Sequence, residues 1–223
     1  MSHHYLRFEK VHYRYPDGHE ALRGVSFCLH HGEKVALVGD NGAGKSTLLL
    51  HTNGLLLPES GRVVVGDIPV ERHTLPLVRQ RVGLLFQSPD DQLFMPTVAD
   101  DVAFGPLNMR LPREEVERRV EQALRSVGAW ELRHRTGMQL SGGEKRRVAI
   151  ASVLSMEPDI LVMDEPTSGL DRRARQQLME LIGGFRHTCF IATHDMEMVH
   201  ELGLSMLYME EGRILRTSAD SSA

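Results

Sequence analysis

The stretch Gly39-Asp40-Asn41-Gly42-Ala43-Gly44-Lys45-Ser46-Thr47 decides the fold, because it matches the phosphate-binding pattern G-x-x-x-x-G-K-[ST] without a gap. The run 34–38 before it predicts a short buried strand, and the leucines at 48–50 predict the start of a helix. Glycines let the backbone wrap round phosphates, and the helix N-terminus faces the anion with partial positive charge. We therefore expect Lys45 to reach the β- and γ-phosphates and Ser46 to ligate Mg²⁺. A glycine-rich turn without a ligand is the alternative.

Composition bounds the classes to which the chain can belong. Its 223 residues are 41% hydrophobic, enough for a sizeable core in one domain or two small lobes. A net charge of −4 argues against a nucleic acid partner bound through bulk charge. Only Cys28 and Cys189 occur, which favours a reducing compartment. The sequence has neither a signal-peptide pattern nor an apolar run of about 18 residues, so any membrane role is expected to be peripheral.

Strand and helix patterns alternate along the chain. Two strands are predicted in 5–31, around the turn signal Tyr15-Pro16-Asp17-Gly18. Further strands are predicted at 34–38, 61–70, 82–86, 160–163 and 188–193, with a final hairpin at 206–209 and 213–215. Helices are predicted at 45–55, 113–127, 141–156 and 172–183, and from 196 onward. This alternation predicts an α/β fold with a mainly parallel sheet, 1–87 and 158–223 forming its core and 88–157 a helical insertion.

Two acidic residues follow a buried strand. Asp164 and Glu165 come directly after the apolar run 160–163. A carboxylate at such a strand end can hold Mg²⁺, and a second one beside it can polarise a water that attacks the γ-phosphate. The alternative for Asp164 is an ordinary turn residue. His194 follows the strand 188–193, and its alternative role is that of a satisfied surface histidine.

A second glycine pair begins a helix. In Ser141-Gly142-Gly143-Glu144 the serine and two glycines form an anion site much like the loop itself. The same residues also fit a plain capping box, with Ser141 as N-cap and Glu144 three residues later. Both interpretations can hold, because capping orients the same N–H groups.

Taken in order, these motifs resemble the nucleotide-binding subunit of an ATP-binding-cassette transporter, over nearly the whole chain. The family's signature sequence is similar to Leu140–Gly143, although Glu144 stands where glutamine is more usual. Resemblance to the family also implies that 168–171 is the dimer-contacting D-loop. It implies a P-loop NTPase core with an N-terminal antiparallel β portion and an inserted helical signature subdomain, in a single domain spanning 1–223.

The resemblance assigns roles to single residues. It implies that Asp164 binds Mg²⁺, that Glu165 is the catalytic glutamate, and that His194 is the switch histidine on the γ-phosphate. Gln87 corresponds to the glutamine that senses Mg²⁺ and couples to the membrane partner, and Tyr15 to the aromatic against adenine, with Tyr13 as the alternative. ATP and Mg²⁺ are the implied cofactors. The implied ATP-binding set is Tyr15, Gly39, Asn41, Gly42, Ala43, Gly44, Lys45, Ser46, Thr47, Gln87, Ser141, Gly142 and Gly143.

In this family two cassettes pair head to tail. Each ATP is then held between one chain's phosphate loop and the other chain's signature helix, so we expect a homodimer, or a pair with a second cassette, that closes on ATP. Glu144 adds negative charge near that phosphate, and we expect its side chain to point away and cap the helix.

The stretches 87–94 and 101–106 look like those of energy-coupling-factor importers. In that subgroup the cassette docks on a transmembrane coupling protein, which works with a substrate-capture membrane protein at the cytoplasmic face of the cell membrane. The apolar residues that could line the docking groove, or else pack the core of the insertion, are Leu93, Phe94, Met95, Val98, Val102 and Phe104.

Within the subgroup, the end of the chain soon after its last hairpin favours an importer dedicated to one solute. Cobalt or nickel is the expected solute, with biotin as the alternative. Two other classes stay open: a cassette ATPase of DNA repair or translation, and a cassette that binds ATP without turnover. The presence of Lys45, Asp164, Glu165 and His194 argues against the last.

Overall fold

A computed structural model describes residues 4–217. Its strands are β1 His4–Arg14, β2 Glu20–His30, β3 Lys34–Val38, β4 Ser60–Val65, β5 Ile68–Pro69, β6 Val82–Leu85, β7 Ile160–Asp164, β8 Thr188–Ala192, β9 Ser205–Glu210 and β10 Arg213–Thr217. Its helices are α1 Lys45–Thr52, α2 Leu75–Arg81, α3 Val98–Asn108, α4 Arg113–Ser126, α5 Gly142–Leu154, α6 Arg172–Gly184 and α7 Met196–Glu201. Two compact units result: a first unit of 4–84, 159–165 and 185–217, and a second unit of 85–158 and 166–184.

The first unit begins with an antiparallel sheet in the order β2-β1-β4-β5. Val11 of β1 pairs with Val25 of β2, and both side chains are buried. The predicted turn between these strands is confirmed, with the Gly18 N–H donating to the Tyr15 carbonyl at 2.9 Å. Each strand is 11 residues long, because a bulge at Lys10, whose φ is 47°, lets the pairing continue.

A six-stranded sheet in the order β10-β9-β3-β8-β7-β6 forms the core of the first unit. Strand β3 is parallel to β8 and β9, and β7 is parallel to β8, whereas β9 and β10 form the predicted antiparallel hairpin. Every residue of β7 and β8 is buried, as expected for parallel strands covered on both faces. The α/β prediction, with a mainly parallel core sheet and an N-terminal antiparallel portion, is confirmed.

The strand register aligns the carboxyl ends of the three central strands. Leu37 of β3 pairs with Ala192 of β8, and Asp164 of β7 pairs with the same alanine. Chain segments that leave β3, β7 and β8 therefore start from one edge of the sheet. In open α/β sheets this edge is where ligands bind.

The second unit contains α3, α4, α5 and α6. The predicted amphipathic helix at 113–127 is confirmed as α4, whose Val116, Val120 and Leu124 are buried. On its polar face the Glu115 carboxylate accepts hydrogen bonds from the Arg118 and Arg119 guanidinium groups at 2.7 Å. The hydrogen bond from Arg118 is the main reason why the pKa of Glu115 falls to about 2.

Several details differ from the sequence predictions. Helix α1 ends at Thr52 instead of 55, because Gly54 adopts a left-handed φ of +68° that terminates a helix. Helices α2 and α3 were not predicted. The seven residues of α2 are too few for a clear periodicity, and α3 contains Pro106, a residue that usually breaks helices. Val98 and Val102 are fully buried, so they pack the core of the second unit and cannot line a groove. Within residues 4–217, no helix combines the length and apolarity that a membrane span requires.

Candidate functional site

The loop between β3 and α1 has the conformation that its glycines predict. Gly42 and Gly44 adopt φ values of +82° and +104°, which residues with a side chain rarely occupy. A Cβ on Gly44 would lie 2.6 Å from the Ala21 carbonyl oxygen, whereas one on Gly42 would meet nothing within 4 Å. Gly44 is therefore required for packing, and Gly42 faces open space that a ligand can fill.

Lys45 lies against the loop that precedes it. Its Nζ donates to the carbonyl oxygens of Gly39 at 2.6 Å and Asp40 at 2.9 Å, and the side chain is buried. Helix α1 begins at this residue, and the first N–H groups of any helix lack intrahelical partners. An ammonium group beside free N–H donors and an open loop face fits the phosphate groups of a nucleotide. Ser46 is exposed in the first turn, where its hydroxyl can reach a cation beside those phosphates.

An aromatic side chain touches the end of the loop. The Tyr15 hydroxyl is 3.0 Å from Thr47 Oγ1, and its ring is half-buried. Tyr13 packs edge-on against Tyr15 and against His51 of α1, with ring centroids 5.0 and 4.8 Å away. His51 is fully buried, and its Nδ1 donates to the Thr47 carbonyl at 2.8 Å, since a carbonyl can only accept. Burial lowers the pKa of His51, so its ring stays neutral.

The ends of β7 and β8 bring the acidic pair and the histidine together. His194 Nδ1 is 2.8 Å from Glu165 Oε1, and the backbone N–H of His194 donates to Glu165 Oε2 at 3.4 Å. Asp164 and Glu165 are both buried, while the His194 ring is 78% exposed. Glu165 has a φ of +45°, a strained conformation for a residue with a side chain, and its N–H donates to the Ala192 carbonyl.

Thr193 is a contact residue that the sequence analysis missed. It is fully buried, and its hydroxyl donates to Glu165 Oε2 at 3.3 Å while accepting from the Asp195 N–H at 3.0 Å. The only sequence signal for this role is its position directly before His194, at the end of an apolar strand. Thr193 therefore fixes one oxygen of the Glu165 carboxylate from the position directly after β8.

In the second unit the signature segment caps α5. The Glu144 N–H donates to Ser141 Oγ at 3.3 Å, and the Ser141 N–H donates to Glu144 Oε2 at 2.8 Å. Arg135 Nη1 lies 3.6 Å from the other Glu144 oxygen. The prediction that Glu144 caps the helix is confirmed, and a Cβ on Gly142 or Gly143 would meet nothing within 4 Å. The glycine pair is thus an open surface at a helix N-terminus.

Gln87 and the segment 168–171 also belong to the second unit. The Gln87 side chain is exposed, and its backbone carbonyl accepts a hydrogen bond from Arg146 Nη1 at 2.8 Å. Asp171 caps α6, because its Oδ1 accepts from the Ala174 N–H at 2.8 Å. The structure thus groups Tyr15, the phosphate loop, Asp164, Glu165 and His194 in one unit, and Gln87 with Ser141–Gly143 in the other.

Known proteins are similar to this chain in sequence. Residues 22–168 match the family model described as ABC transporter. The energy-coupling factor transporter ATP-binding protein EcfA of Methanocaldococcus jannaschii is 47% identical over 211 residues, covering 92% of this chain and 76% of its own. The chain belongs to the ABC transporter family. Within it, the chain is an ATP-binding and ATP-hydrolysing transport ATPase.

Two solved structures agree with the fold. The structure of cbiO1 from Clostridium perfringens, part of the ABC transporter complex cbiONQ, is 40% identical with a TM-score of 0.82, covering 96% of this chain and 88% of its own. The ATP-binding cassette MJ0796, in a dimeric post-hydrolysis state bound to ADP and Pi, is 27% identical with a TM-score of 0.87, covering 96% of this chain and 97% of its own. The P-loop NTPase prediction for the core is therefore confirmed.

Two glycine substitutions in the phosphate loop should have different effects, one on stability and one on ATP binding. Gly44→Ala should lose about 1–3 kcal/mol more stability than Gly42→Ala, because only its methyl group collides with the Ala21 carbonyl. Gly42→Ala should instead bind ATP more weakly, since its methyl group enters the open loop face. Urea unfolding and fluorescence titration with trinitrophenyl-ATP measure the two effects. Equal stability of the variants would contradict the packing role of Gly44.

The Glu144 carboxylate should stabilise the protein only at a pH where it is ionised. Its hydrogen bond from the Ser141 backbone is the main cause that lowers the pKa of the Glu144 carboxyl below the ordinary 4.5. Glu144→Gln keeps both capping hydrogen bonds but loses the charge at the helix N-terminus, which costs about 0.5 kcal/mol at pH 7.

The sign of the pH effect follows from the lowered pKa. The charge contributes fully above pH 4.5, and its contribution is lost as the pH falls through the lower pKa of the folded state. Urea unfolding of wild type and Glu144→Gln at pH 7, 5 and 4 tests this expectation. A stability difference that stays constant across this range would show that the carboxylate charge has no part in capping.

Proposed function

We propose that this chain is the ATPase of an energy-coupling-factor importer, bound at the cytoplasmic face of the cell membrane. The ABC-type ATPase activity is established by its family. Support for the importer subgroup comes from the 47% identity to EcfA, from the 40% identity to cbiO1, and from the stretches 87–94 and 101–106. The observation that carries the proposed chemistry is the Glu165 carboxylate, held at the sheet edge by Thr193 and His194.

We propose that Lys45 Nζ and the N–H groups of the loop bind the β- and γ-phosphates of ATP, because they are the donors that a triphosphate needs. The half-buried Tyr15 ring stacks on adenine, and its hydroxyl bond to Thr47 fixes the ring beside the loop. The other loop residues in contact are Gly39, Asn41, Gly42, Ala43, Gly44, Ser46 and Thr47.

Mg²⁺ fits the oxygen donors of this site. A magnesium ion keeps several waters and takes one or two protein ligands plus substrate phosphates. Ser46 and Asp164, both in the first unit, are the proposed ligands, and the family resemblance assigns the Mg²⁺-sensing role to Gln87. When bound, the ion neutralises charge on the transferring phosphoryl group. We propose 1–87 and 158–223 as the nucleotide-binding core and 88–157 as the signature subdomain, although Gln87 and 166–184 fall in the second compact unit of the structure.

Glu165 is the proposed catalytic group. It accepts a hydrogen bond from the attacking water, so that the water oxygen bonds to the γ-phosphorus while the bond from that phosphorus to the bridging oxygen breaks. The water proton passes to Glu165 or to the released phosphate, and ADP and phosphate leave. His194 contacts the γ-phosphate with its exposed ring, while its backbone N–H and Thr193 keep the carboxylate oriented.

A second copy of the chain completes the proposed site. Gly142 and Gly143 offer an open helix N-terminus that can receive the γ-phosphate held by the other copy. The dimeric state of the related cassette MJ0796 supports this pairing. We propose a homodimer that closes on ATP, with a second, different cassette as the alternative partner.

Glu165→Gln should separate ATP binding from hydrolysis. Loss of the carboxylate should lower the steady-state ATPase rate about 100-fold or more, because a positioned general base contributes at least that much. ATP binding should persist, and the variant should accumulate as a dimer in Mg-ATP, measured by light scattering after size exclusion. Glu180→Gln, an exposed glutamate on α6, is the matched control. Equal ATPase rates would refute the catalytic assignment, and a monomer in Mg-ATP would refute the self-pairing.

The proposed docking surface for the membrane protein lies on the second unit. Phe94, Phe104 and Leu107 are 64%, 42% and 57% exposed, and the two phenylalanine rings meet edge to face at 5.0 Å. Asp101 accepts hydrogen bonds from the N–H groups of Phe94 and Met95 at 2.9 Å, so this loop has a fixed shape. Three large apolar side chains left in water favour a protein partner at this position.

Phe94→Asp should detach the chain from its membrane partner. We expect the wild-type chain, purified from gently solubilised native membranes, to carry a polytopic coupling protein and a small substrate-capture protein. The variant should lose both, because a charge replaces the exposed ring, while Leu215→Asp, a control at a comparably exposed leucine in the first unit, should retain them.

Other outcomes of this purification point to other functions. Recovery without any membrane protein would favour a cassette ATPase outside transport, and a second cassette would replace the homodimer. The identity of the substrate-capture protein would also name the solute. We propose cobalt or nickel ions, with biotin as the alternative, on the family resemblance alone.

A further inference from the structure

One face of the signature helix α5 holds the segment that contains Gln87. Arg146 Nη1 donates to the backbone carbonyl oxygens of Phe86 at 2.6 Å and Gln87 at 2.8 Å. The Nε of the same guanidinium donates to the Pro166 carbonyl at 3.2 Å. A single side chain therefore joins α5, the segment after β6, and the residue that directly follows Glu165 in the chain.

Burial makes these contacts obligatory. Arg146 is only 2% exposed, and a guanidinium out of contact with water must find its hydrogen-bond partners within the protein. The Pro166 carbonyl depends on it in turn, because this hydrogen bond is buried and a buried acceptor that loses its donor is costly. The planar guanidinium can donate in several directions at once, which a lysine ammonium on a flexible stem does less well.

Two neighbouring contacts fasten the same segment to α5. Gln92 accepts from the Phe86 N–H at 3.2 Å and donates to the carbonyl of Ala149 at 2.7 Å. Lys145 Nζ is 2.5 Å from Asp90 Oδ1. The segment 86–92 is therefore held at both ends and in its middle by one helix, the helix whose first turn carries the signature glycines.

We infer that Arg146 is a positioning residue for ATP hydrolysis, which fixes the Gln87 backbone to the signature helix and to the residue after Glu165. With Arg146 in place, a displacement of Gln87 displaces the helix start at Gly142 with it. Without Arg146, the Gln87 backbone loses this attachment to α5. The inference rests on the proposed role of Gln87 in sensing Mg²⁺.

The inference is tested in the full-length chain with Arg146→Met, Gln87→Ala and the double variant. Arg146→Met should lower kcat about ten- to hundredfold, because small misplacements of a positioned group cost that much. The KM for ATP and the affinity for trinitrophenyl-ATP should stay within about twofold, since the carbonyl groups that this arginine holds belong to Phe86, Gln87 and Pro166 and not to the phosphate loop. The double variant should be no slower than the slower single variant, because both substitutions remove the same function.

Two further variants separate positioning from general stability. Arg118→Met removes an arginine with several hydrogen bonds from the same unit, far in sequence from Gln87, and should keep kcat near that of wild type. Arg146→Lys keeps the positive charge and should fold, as measured by urea unfolding, yet show the same loss of kcat at unchanged KM. It therefore carries the test if Arg146→Met does not fold.

Three outcomes overturn the inference. A normal kcat in Arg146→Lys or Arg146→Met, with a lowered kcat in Gln87→Ala, refutes positioning by Arg146 and leaves the proposed function intact. A normal kcat in Gln87→Ala refutes the proposed role of Gln87 and the inference with it. Fully multiplicative losses in the double variant would mean that the two residues act independently.

Discussion

The alignment of the carboxyl ends of β3, β7 and β8 is the constraint on which the site depends. The pairing of Ala192 with both Leu37 and Asp164 brings the carboxyl ends of these three parallel strands to the same level of the sheet. The phosphate loop, the Asp164–Glu165 pair and His194 come from distant parts of the sequence, yet each lies at or just beyond the end of one of these strands. The apolar residues that bury the strands thus also determine the geometry of the chemistry.

Hydrogen bonding of polar side chains fixes the details that strand register leaves open. Glu165 is oriented by Thr193 and His194, the Ser141 helix start by Glu144, and the Gln87 segment by Arg146. Thr193, Glu165 and Arg146 are buried, so they must find their partners within the protein. Such contacts specify one arrangement, because the alternatives leave donors or acceptors unpaired.

Local patterns predicted most of the fold, and contacts between distant segments account for the site residues that were missed. The phosphate loop, the buried strands, α4 and the Glu144 cap depend on residues within a few positions of one another, so the sequence displays them directly. Thr193 and Arg146 gain their roles from partners 28 and 59 residues away, namely Glu165 and Gln87, and no local pattern marks them. The sequence did not decide whether Val98 and Val102 pack in the core or line a docking groove, because apolar helix residues fit both roles. Their complete burial in the structure shows that they pack in the core.

The hydrogen bonds of Lys45 lower the entropic cost of binding a nucleotide. A lysine side chain free in water loses about 2 kcal/mol of rotational freedom when it is immobilised. Here the carbonyl groups of Gly39 and Asp40 already hold the ammonium, so that ordering occurs when the chain folds. Binding can then proceed as the docking of a charged ligand on a rigid receptor, with little reorganisation left to oppose it.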